Sequence, residues 1–494
     1  MKPYQITLFL FAVIFVLAVI AALFPKEGLT IGKTQLRFPT LEKVMTRNEA
    51  EIEIIDPMVA FQDSIAQVVQ LEKESEQDTV NFYVKMIELN PASFHFPNDD
   101  KTFFDSFFKE LDNAEKKNEV VRILHYGDSQ IEMDRMSSDI RAFFQNKFGG
   151  GGPGLIPLQQ TISSASVYQS TSGDFTDYAI YGTSSRSRDK FYGPLMKYHK
   201  IHSSAHLVVS APQHKKADEK LLSYEKITLL VDDLKGGFQV KMKPDKQPVQ
   251  ELTIDSTGTH RLVFELDTPN RRFTLTMNGN ANIYGVMVDH KSGVAVDNIP
   301  IRGSSGTFFS SLEDSLLAKM YKDMNVGMII MQFGGNSVPG ISGQQGVDYL
   351  KKTIATQIRF IQRLCPNAKI LFIGPSDMST RVNGVLKTYT HLSSLNDALR
   401  EAAVKNGAAY WDMFNVMGGE NSMIAWVSNG YAGNDYIHFT PKGAAKIGEA
   451  LTQSFALMYD FYKVRQNLKH NVSLDIPKDT LAPKPLIFEN HEVE

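Results

Sequence analysis

Residues 120–130 read VVRILHYGDSQ, and this stretch indicates the class of the fold. The mostly apolar run at 120–126 ends in Gly-Asp-Ser-Gln, and apolar side chains then recur at helical spacing up to Phe148. An apolar run that stops at a tight turn and continues as an amphipathic segment is typical of a buried strand followed by a helix. The stretch therefore predicts the opening of an α/β domain.

The same alternation of strand and helix returns later in the chain. Apolar strands are predicted at 326–333, 369–373 and 408–411, and helices at 347–364, 391–405 and 441–462. Strands that alternate with helices of this length build a parallel sheet. The sequence thus predicts a parallel sheet flanked by helices in three layers, formed by residues 119–154 and 291–463.

The residues in between, 155–290, have a different pattern. Short alternating runs separated by Gly, Asn, Asp and Pro lie at 226–231, 237–242, 259–266, 272–277 and 282–288. Such runs are typical of antiparallel sheets, so we expect an all-β sandwich inserted after the first strand-helix unit. Residues 25–118, with helical periodicity at 45–74 and 102–117, predict a stalk and a leading helix, and residues 464–494 a loosely packed tail.

The N-terminus carries a long apolar run. From Ile6 to Phe24 the only polar residue is Thr7, and a helix of 19 residues spans about 28 Å, close to the thickness of a bilayer. We expect an uncleaved membrane anchor within residues 1–24, because the run is longer than that of a signal peptide and lacks a good cleavage site. A cleaved signal peptide and a buried helix are the alternatives. Lys2 favours an orientation that puts the rest of the chain on the periplasmic side of an inner membrane, anchored or secreted.

The overall composition is that of an ordinary globular protein. Charged residues make up 22% of the 494 residues, and 52 basic against 55 acidic residues leave a net charge of −3. This balance argues against a nucleic-acid-binding protein and against a wholly disordered chain. The lone cysteine, Cys365, excludes an internal disulfide and a cysteine-rich zinc site. We therefore expect no nucleic-acid partner, no metal and no cofactor.

Ser129 is the candidate nucleophile. It follows the strand at 120–126 and opens the next helix, so its hydroxyl is expected at the carboxyl end of the sheet, where open α/β folds place their sites. The free N–H groups of a helix N-terminus also stabilise a nearby oxyanion. The alternative is structural, with Ser129 or Asp128 acting only as a helix cap.

Two later segments carry groups that suit acyl transfer. Asp435 and His438 precede the last helix, and an Asp three residues before a His can orient the imidazole as a base for a distant serine. Asn336 follows the strand at 326–333, and its amide can donate to a developing oxyanion. The alternatives are a surface loop and an ordinary turn. With Ser129, these residues are expected at one edge of the same sheet.

The order of nucleophile, amide donor, Asp and His resembles that of the SGNH, or GDSL-type, hydrolases, a superfamily of esterases and lipases. The motif residues of that family match Ser129, a glycine within 302–306, Asn336 and His438. The glycine is Gly303 by spacing or Gly306 by local pattern. Gln130 stands where the family usually has Leu, and Ser337 where it often has Asp or Glu.

A closer resemblance is to the extracytoplasmic peptidoglycan O-acetylesterases, whose SGNH domain also carries an inserted β domain similar to a carbohydrate-binding module. The matching segments lie at 125–130, 147–152, 410–413 and 417–423, within residues 118–462. The resemblance implies a serine esterase that acts on an acetylated glycan of the cell envelope. An O-acetyltransferase with the same residues and a non-catalytic glycan-binding protein are the alternatives.

The same resemblance implies a role for each motif residue. His438, oriented by Asp435, takes the proton of Ser129 as it attacks an acetyl ester, and the N–H groups of Ser129 and of Gly303 or Gly306, with the Asn336 amide, form the oxyanion hole. Three further titratable residues could take part in the site or have a structural role. Asp412 is a rival to Asp435, Asp128 is expected to cap the helix, and His125 is expected to be a packed core histidine.

Overall fold

The computed structural model describes residues 76–212 and 218–468 and, ahead of them, Gln5, 8–9, 12–13, 15–16, 19–20, 29–31 and 34–36. Apart from those positions, the anchor expected within 1–24, the periodic stretch at 45–74 and most of the expected tail lie outside the described residues and stay predictions. Within the described part of the chain, no helix is long and apolar enough to cross a membrane. The chain divides into two compact units, residues 1–54 and 55–494.

In the first unit, strands β1 (Leu29–Ile31) and β2 (Thr34–Leu36) pair antiparallel. The described strands of the second unit are β3 (Phe94–His95), β4 (Val120–Gly127), β5 (Gly154–Ile156), β6 (Tyr168–Ala179), β7 (Lys197–Ser210), β8 (Tyr224–Pro244), β9 (Gln250–Ile254), β10 (His260–Asn270), β11 (Arg272–Asp289), β12 (Gly293–Pro300), β13 (Val326–Gln332), β14 (Lys369–Ile373), β15 (Ser379–Val382), β16 (Val385–Thr388) and β17 (Ala409–Trp411).

The second unit also contains nine described α-helices. They are α1 (Glu76–Leu89), α2 (Asp105–Lys117), α3 (Ser137–Phe148), α4 (Ser315–Asp323), α5 (Gln344–Leu364), α6 (Leu392–Lys405), α7 (Met413–Val416), α8 (Ser422–Ser428) and α9 (Pro441–Gln466).

A six-stranded sheet in the order β12-β4-β13-β14-β17-β3 forms the centre of the second unit. Its neighbours are parallel except for β3, which pairs antiparallel with β17. Apolar side chains on one face pack against α4, α5 and α6, and those on the other face against α1, α2, α3 and α9. Because helices cover both faces, the central strands are buried along most of their length. The predicted α/β class with a parallel sheet is confirmed.

Strands β5 to β11 leave the parallel sheet after α3 and return to it as β12. They form one antiparallel sheet in the order β10-β8-β11-β7-β6, with β5 added to β11 and β9 to β8. The long strands β8 and β11 each combine two of the short runs predicted from the sequence, and the pairing between them shifts register near Asn280 and Gly285. Hydrogen bonding therefore joins the expected two-sheet sandwich into one continuous sheet around its own apolar core. We refer to β5–β11 as the β insert.

A buried ion cluster ties the β insert to the parallel sheet. Arg122 of β4 donates to Asp297 of β12 at 2.7 Å and also bonds Asp289, the last residue of β11. Asp297 in turn accepts the backbone N–H of Leu155 in β5 at 2.8 Å. Arg122 is only 2% exposed, so its charge depends on both carboxylates. The place where the chain leaves the parallel sheet and the place where it returns are thus held together.

Candidate active site

Ser129 lies just after the carboxyl end of β4, which is the second strand of the parallel sheet. The strand ends at Gly127, and Asp128 caps the next turn by accepting the backbone N–H of Gln130 at 2.9 Å. A 3-10 segment then runs from Ser129 to Asp134, and α3 begins only at Ser137. The helix therefore begins later in the chain than predicted. The 3-10 segment before it leaves the serine hydroxyl accessible at the carboxyl edge of the sheet.

The structure brings Ser129, His438 and Asp435 into one hydrogen-bonded series. Ser129 Oγ lies 2.8 Å from His438 Nε2, and His438 Nδ1 lies 2.7 Å from Asp435 Oδ2. An imidazole whose Nδ1–H donates to a carboxylate has a free electron pair on Nε2, and this nitrogen can accept the serine proton. The geometry is that of a nucleophile, a base and a carboxylate that orients the base.

The short loop that carries His438 also holds Asp435 in place. Asp435 Oδ1 accepts the backbone N–H groups of Ile437 and His438, each at 3.0 Å. Burial of the carboxyl works to raise the pKa of Asp435, but the hydrogen bonds from the His438 ring and from these N–H groups outweigh it and keep the pKa below its ordinary value. Thr440 then caps α9 through the N–H of Gly443. Asp435 is thus fixed as a carboxylate against the imidazole.

Two side chains from the nucleophile turn brace the histidine loop. Gln130 Nε2 donates to the carbonyl of Ile437 at 2.6 Å, and Gln130 Oε1 accepts the N–H of Phe439 at 3.2 Å. Arg135 donates to the carbonyl of Phe439 at 2.7 Å and to that of Ser129 at 2.8 Å. Sequence reasoning missed both residues. The one available signal was the polar Gln130 where the related family usually has Leu.

Asn336 lies within the same site, oriented by Asp128. Its Nδ2 donates to Asp128 Oδ2 at 3.0 Å and to the carbonyl oxygen of Ser304 at 3.1 Å. Burial raises the pKa of Asp128 to about 6, although the hydrogen bonds from Gln130 and Asn336 work to lower it. Ser337 contributes its backbone N–H to the carbonyl of Gly334 at 3.1 Å. Asn336 is therefore oriented by Asp128 and not by residue 337, where the related family often has an acidic side chain.

The two candidate glycines lie in the loop after β12, which runs beside the nucleophile turn. The N–H of Ile301 donates to the carbonyl of Gly127 at 2.7 Å, and Ser304 reaches Asn336. Gly306 is buried, and its N–H donates to Ser304 Oγ at 3.1 Å, whereas Gly303 is exposed. A Cβ at Gly306 would meet the ring of Phe333 at 2.5 Å, but one at Gly303 would meet nothing within 4 Å.

A small cavity of about 150 Å³ lies beside the serine and the histidine. Its walls include Asp128, Ser129, Gln130, Gln332, Phe333, Gly335, Asn336, Pro339, Gly374, Pro375, Ser376, Met378, Met413, Ile437 and His438. Gly303 and Gly306 are not among these wall residues. The volume is well below the ~300–1,000 Å³ of typical ligand pockets. Such a cavity has room for a small acyl group.

The chain is similar in fold to a solved enzyme structure. No family model and no curated protein sequence matches the chain. A solved peptidoglycan O-acetylesterase superposes on it with a TM-score of 0.58 at 20% identity, over 72% of this chain and 96% of that one. The chain shares the fold of this esterase, which supports the resemblance to the SGNH hydrolases seen in the sequence. Two further solved structures are similar only at low TM-scores, a family two carbohydrate esterase from Cellvibrio japonicus (0.25, 10% identity, 60% and 99% of the two chains) and an acetyl xylan esterase (0.26, 16%, 33% and 81%).

The other titratable candidates have structural partners. Asp412 accepts two hydrogen bonds from Asn396 and further ones from Asn415 and Arg400, so its carboxylate is fully engaged away from His438. His125 is buried between Ser137 and Gln332, and burial lowers its pKa to about 4.

Among the described residues, no group of three or more His, Cys, Asp or Glu side chains is arranged to hold a metal ion. His202 and His206 have a spacing that suits zinc on a helix, but both lie on β7. Positions four apart on a strand are separated by about 13 Å, so the two imidazoles do not converge.

Proposed function

We propose that this chain is a serine esterase that removes O-acetyl groups from a glycan of the cell envelope, with peptidoglycan as the preferred candidate. The observation that carries the proposal is the series of contacts from Ser129 Oγ to His438 and on to Asp435, at 2.8 and 2.7 Å. The small cavity beside Ser129 suits an acetyl group better than a long acyl chain. The solved peptidoglycan O-acetylesterase with the same fold supports the choice of substrate class.

The first half of the reaction forms an acetyl-enzyme. Ser129 Oγ attacks the acetyl carbonyl carbon while His438 Nε2 takes the serine proton, and Asp435 stabilises the imidazolium that results. The oxyanion of the tetrahedral intermediate is held by the N–H of Ser129, by Asn336 and by a backbone N–H of the loop at Gly303 or Gly306. His438 then returns the proton to the sugar oxygen, which leaves as a hydroxyl.

The second half repeats these steps with water. His438 removes a proton from water as it attacks the acetyl-enzyme, and collapse of the second intermediate releases acetate and restores Ser129. If a sugar hydroxyl takes the place of water, the same residues perform O-acetyl transfer. The identity of the acetyl acceptor therefore distinguishes esterase from transferase.

The decisive experiment measures acetate release from O-acetylated peptidoglycan and from 4-nitrophenyl acetate by the full-length chain. Ser129→Ala should lower both rates by at least about 10³-fold, because the acetyl-enzyme cannot form. Ser428→Ala, which alters an exposed serine of α8 whose hydroxyl donates to the carbonyl of Ile424, is the matched control. Turnover by Ser129→Ala at the control rate would refute the mechanism. Acetylated sugar without free acetate would instead identify a transferase.

The proposal includes a location in the cell. The apolar run from Ile6 to Phe24 and the single Lys2 before it support a single-pass anchor in a bacterial inner membrane, with residues 25–494 in the periplasm. The glycan would then be on the same side of the membrane as Ser129. Digestion of spheroplasts with external protease should degrade the chain, and full protection would contradict this orientation.

A further inference from the structure

A second and larger cavity lies between the β insert and the edge of the parallel sheet. Its volume is about 270 Å³, close to the lower end of the range for ligand pockets. The β insert contributes Leu155, Ile156 and Leu195 to its walls, and strand β12 contributes Ile299. A ligand in this cavity therefore touches both parts of the second unit.

The cavity is joined to the nucleophile turn. Glu132, a wall residue, lies in the same 3-10 segment as Ser129. The guanidinium of Arg135 donates to the carbonyl of Ser129 at 2.8 Å and to that of Glu132 at 3.0 Å. One side chain therefore bonds both the wall of the cavity and the backbone of the nucleophile.

The charges that line the cavity do not cancel. Two of its cations are paired, Arg302 with Glu132 at 3.0 Å and Arg141 with Asp134. The third cation is Lys197, which is 7% exposed and has no carboxylate within ion-pair distance among the described residues. The described wall therefore carries one uncompensated positive charge.

The ammonium of Lys197 has unused hydrogen-bonding capacity. Of its three N–H groups, one donates to the carbonyl of Gln159 at 3.2 Å, and within the described residues no other acceptor is in reach. A buried ammonium with so few partners is poorly stabilised, and burial lowers the pKa of Lys197 although the more distant Asp177 works to raise it. An anion that entered the cavity would supply the missing acceptors and the missing charge.

We propose that this cavity binds a carboxylate group of the substrate, with Lys197 as its counter-ion and the apolar wall against the carbon skeleton next to it. The inference rests on the proposed esterase function and makes its substrate an acidic glycan, which for peptidoglycan means strands whose lactyl carboxylates carry no stem peptide. N-Acetylmuramic acid, a sugar with a carboxylate on a short apolar chain, is a probe with this chemistry. Its lactyl methylamide has the same shape without the charge.

The experiment compares two O-acetylated disaccharides of N-acetylglucosamine and N-acetylmuramic acid, one with a free lactyl carboxylate and one with the methylamide. The wild type should have the higher kcat/KM on the carboxylate. Lys197→Met should lower that value about 30-fold or more through KM, and should leave the methylamide and 4-nitrophenyl acetate unchanged. Equal use of the two disaccharides by the wild type, or a preference that survives in Lys197→Met, would overturn the proposal.

A second variant avoids the buried position. Thr183 is exposed and lies on the cavity wall, so Thr183→Glu adds a negative charge there without disturbing the core. It should weaken use of the carboxylate disaccharide and spare the methylamide. Thr183→Gln, which matches the size without the charge, should leave the preference intact. Loss of the preference in both variants would show a steric effect and would count against the carboxylate site.

Binding separates this inference from the proposed function. Calorimetry with the unacetylated disaccharides and the Ser129→Ala chain requires no turnover. Tighter binding of the carboxylate form, abolished by Lys197→Met, supports the cavity even if no ester is hydrolysed. Active hydrolysis of 4-nitrophenyl acetate with no such difference in binding would overturn the cavity proposal and leave the esterase proposal standing.

Discussion

The side-chain amide of Gln130 is hydrogen-bonded to the backbone on both sides of His438. Its Nε2 donates to the residue before the histidine and its Oε1 accepts from the residue after it, at 2.6 and 3.2 Å. Because Gln130 directly follows Ser129, the nucleophile and the base are joined through this amide as well as through their own contact. A leucine at this position has no group that can make either bond. Gln130 is therefore a positioning residue for the base.

Replacement of Gln130 by Leu should slow the reaction through kcat. Each of the two hydrogen bonds is worth about 1 kcal/mol, so their loss corresponds to about a 30-fold decrease if both serve to position His438. Kinetics on 4-nitrophenyl acetate should show the change in kcat with little change in KM. Gln453→Leu, which alters an exposed glutamine of α9 that bonds Glu449, is the control. A Gln130→Leu variant as fast as this control would rule out the positioning role.

Replacement of Asp435 by Asn should almost abolish activity without disrupting the loop. An asparagine can still accept the N–H groups of Ile437 and His438, but its amide faces His438 Nδ1 and favours the wrong tautomer. The same change in a Ser-His-Asp protease lowers kcat by about 10⁴-fold. Asp348→Asn, at an exposed carboxylate of α5, is the matched control. If Asp435→Asn loses less than about tenfold, Asp435 is not the orienting carboxylate.

Asn336→Ala should lower kcat by about 10²–10³-fold, the usual effect of removing an oxyanion donor. Both hydrogens of the Asn336 amide have acceptors, Asp128 and the carbonyl of Ser304. We expect the oxyanion to replace Ser304 as acceptor while Asp128 keeps the amide aligned. Steady-state kinetics beside Asn113→Ala, a half-buried asparagine of α2 that bonds the carbonyl of Lys109, test this. Wild-type turnover by Asn336→Ala would remove it from the oxyanion hole.

The buried Asp128 should make stability depend on pH. Its pKa is about 6 in the folded chain and about 3.9 in the unfolded chain, so between these values the folded chain holds the extra proton. Its contribution to stability is complete below about pH 4 and is lost as the pH rises through 6. Asp128→Asn lacks this titration. The free energy of unfolding of the wild type minus that of the variant should therefore fall by up to about 3 kcal/mol from pH 4 to pH 7.

Urea denaturation at several pH values measures this difference directly. A difference that stays constant, or that grows as the pH rises, would mean that Asp128 does not titrate in this range. Comparison with the variant removes the contributions of the other carboxylates, which titrate in both proteins.

Strands β4, β13, β14 and β17 of the parallel sheet were predictable because they are buried on both faces and therefore read as apolar runs, whereas the edge strands β12 and β3 were not among the predicted runs. In the β insert the pattern is weaker. Strand β6 lies at the edge of its sheet and only its last residue is buried, so its residues include few apolar ones and it was not among the predicted runs. Strands β8 and β11 were each read as two runs, because shifts in register interrupt the alternation of polar and apolar residues. Strands β8 and β11 are continuous because of their tertiary pairing, which a single sequence does not show.

The candidate site was predictable where its chemistry is local. Asp435 and His438 are three residues apart, and Ser129 follows a strand directly, so motif and spacing pointed to them. Gln130 and Arg135 act through contacts with residues more than 300 positions away, and no local pattern indicates such contacts. The choice between the two glycines depends on the path of an irregular loop, which periodicity does not describe.

The buried cluster around Arg122 has a consequence for how the chain folds. Its two carboxylates lie 167 and 175 residues further along the chain. During synthesis β4 therefore leaves the ribosome long before any partner for its charge exists, and the parallel sheet is completed only once the β insert has been made. Contacts of such wide sequence separation slow folding. Refolding should accordingly be slow, and its slowest step should be the assembly around Arg122. The residues that form the site, in contrast, lie close to the strand ends.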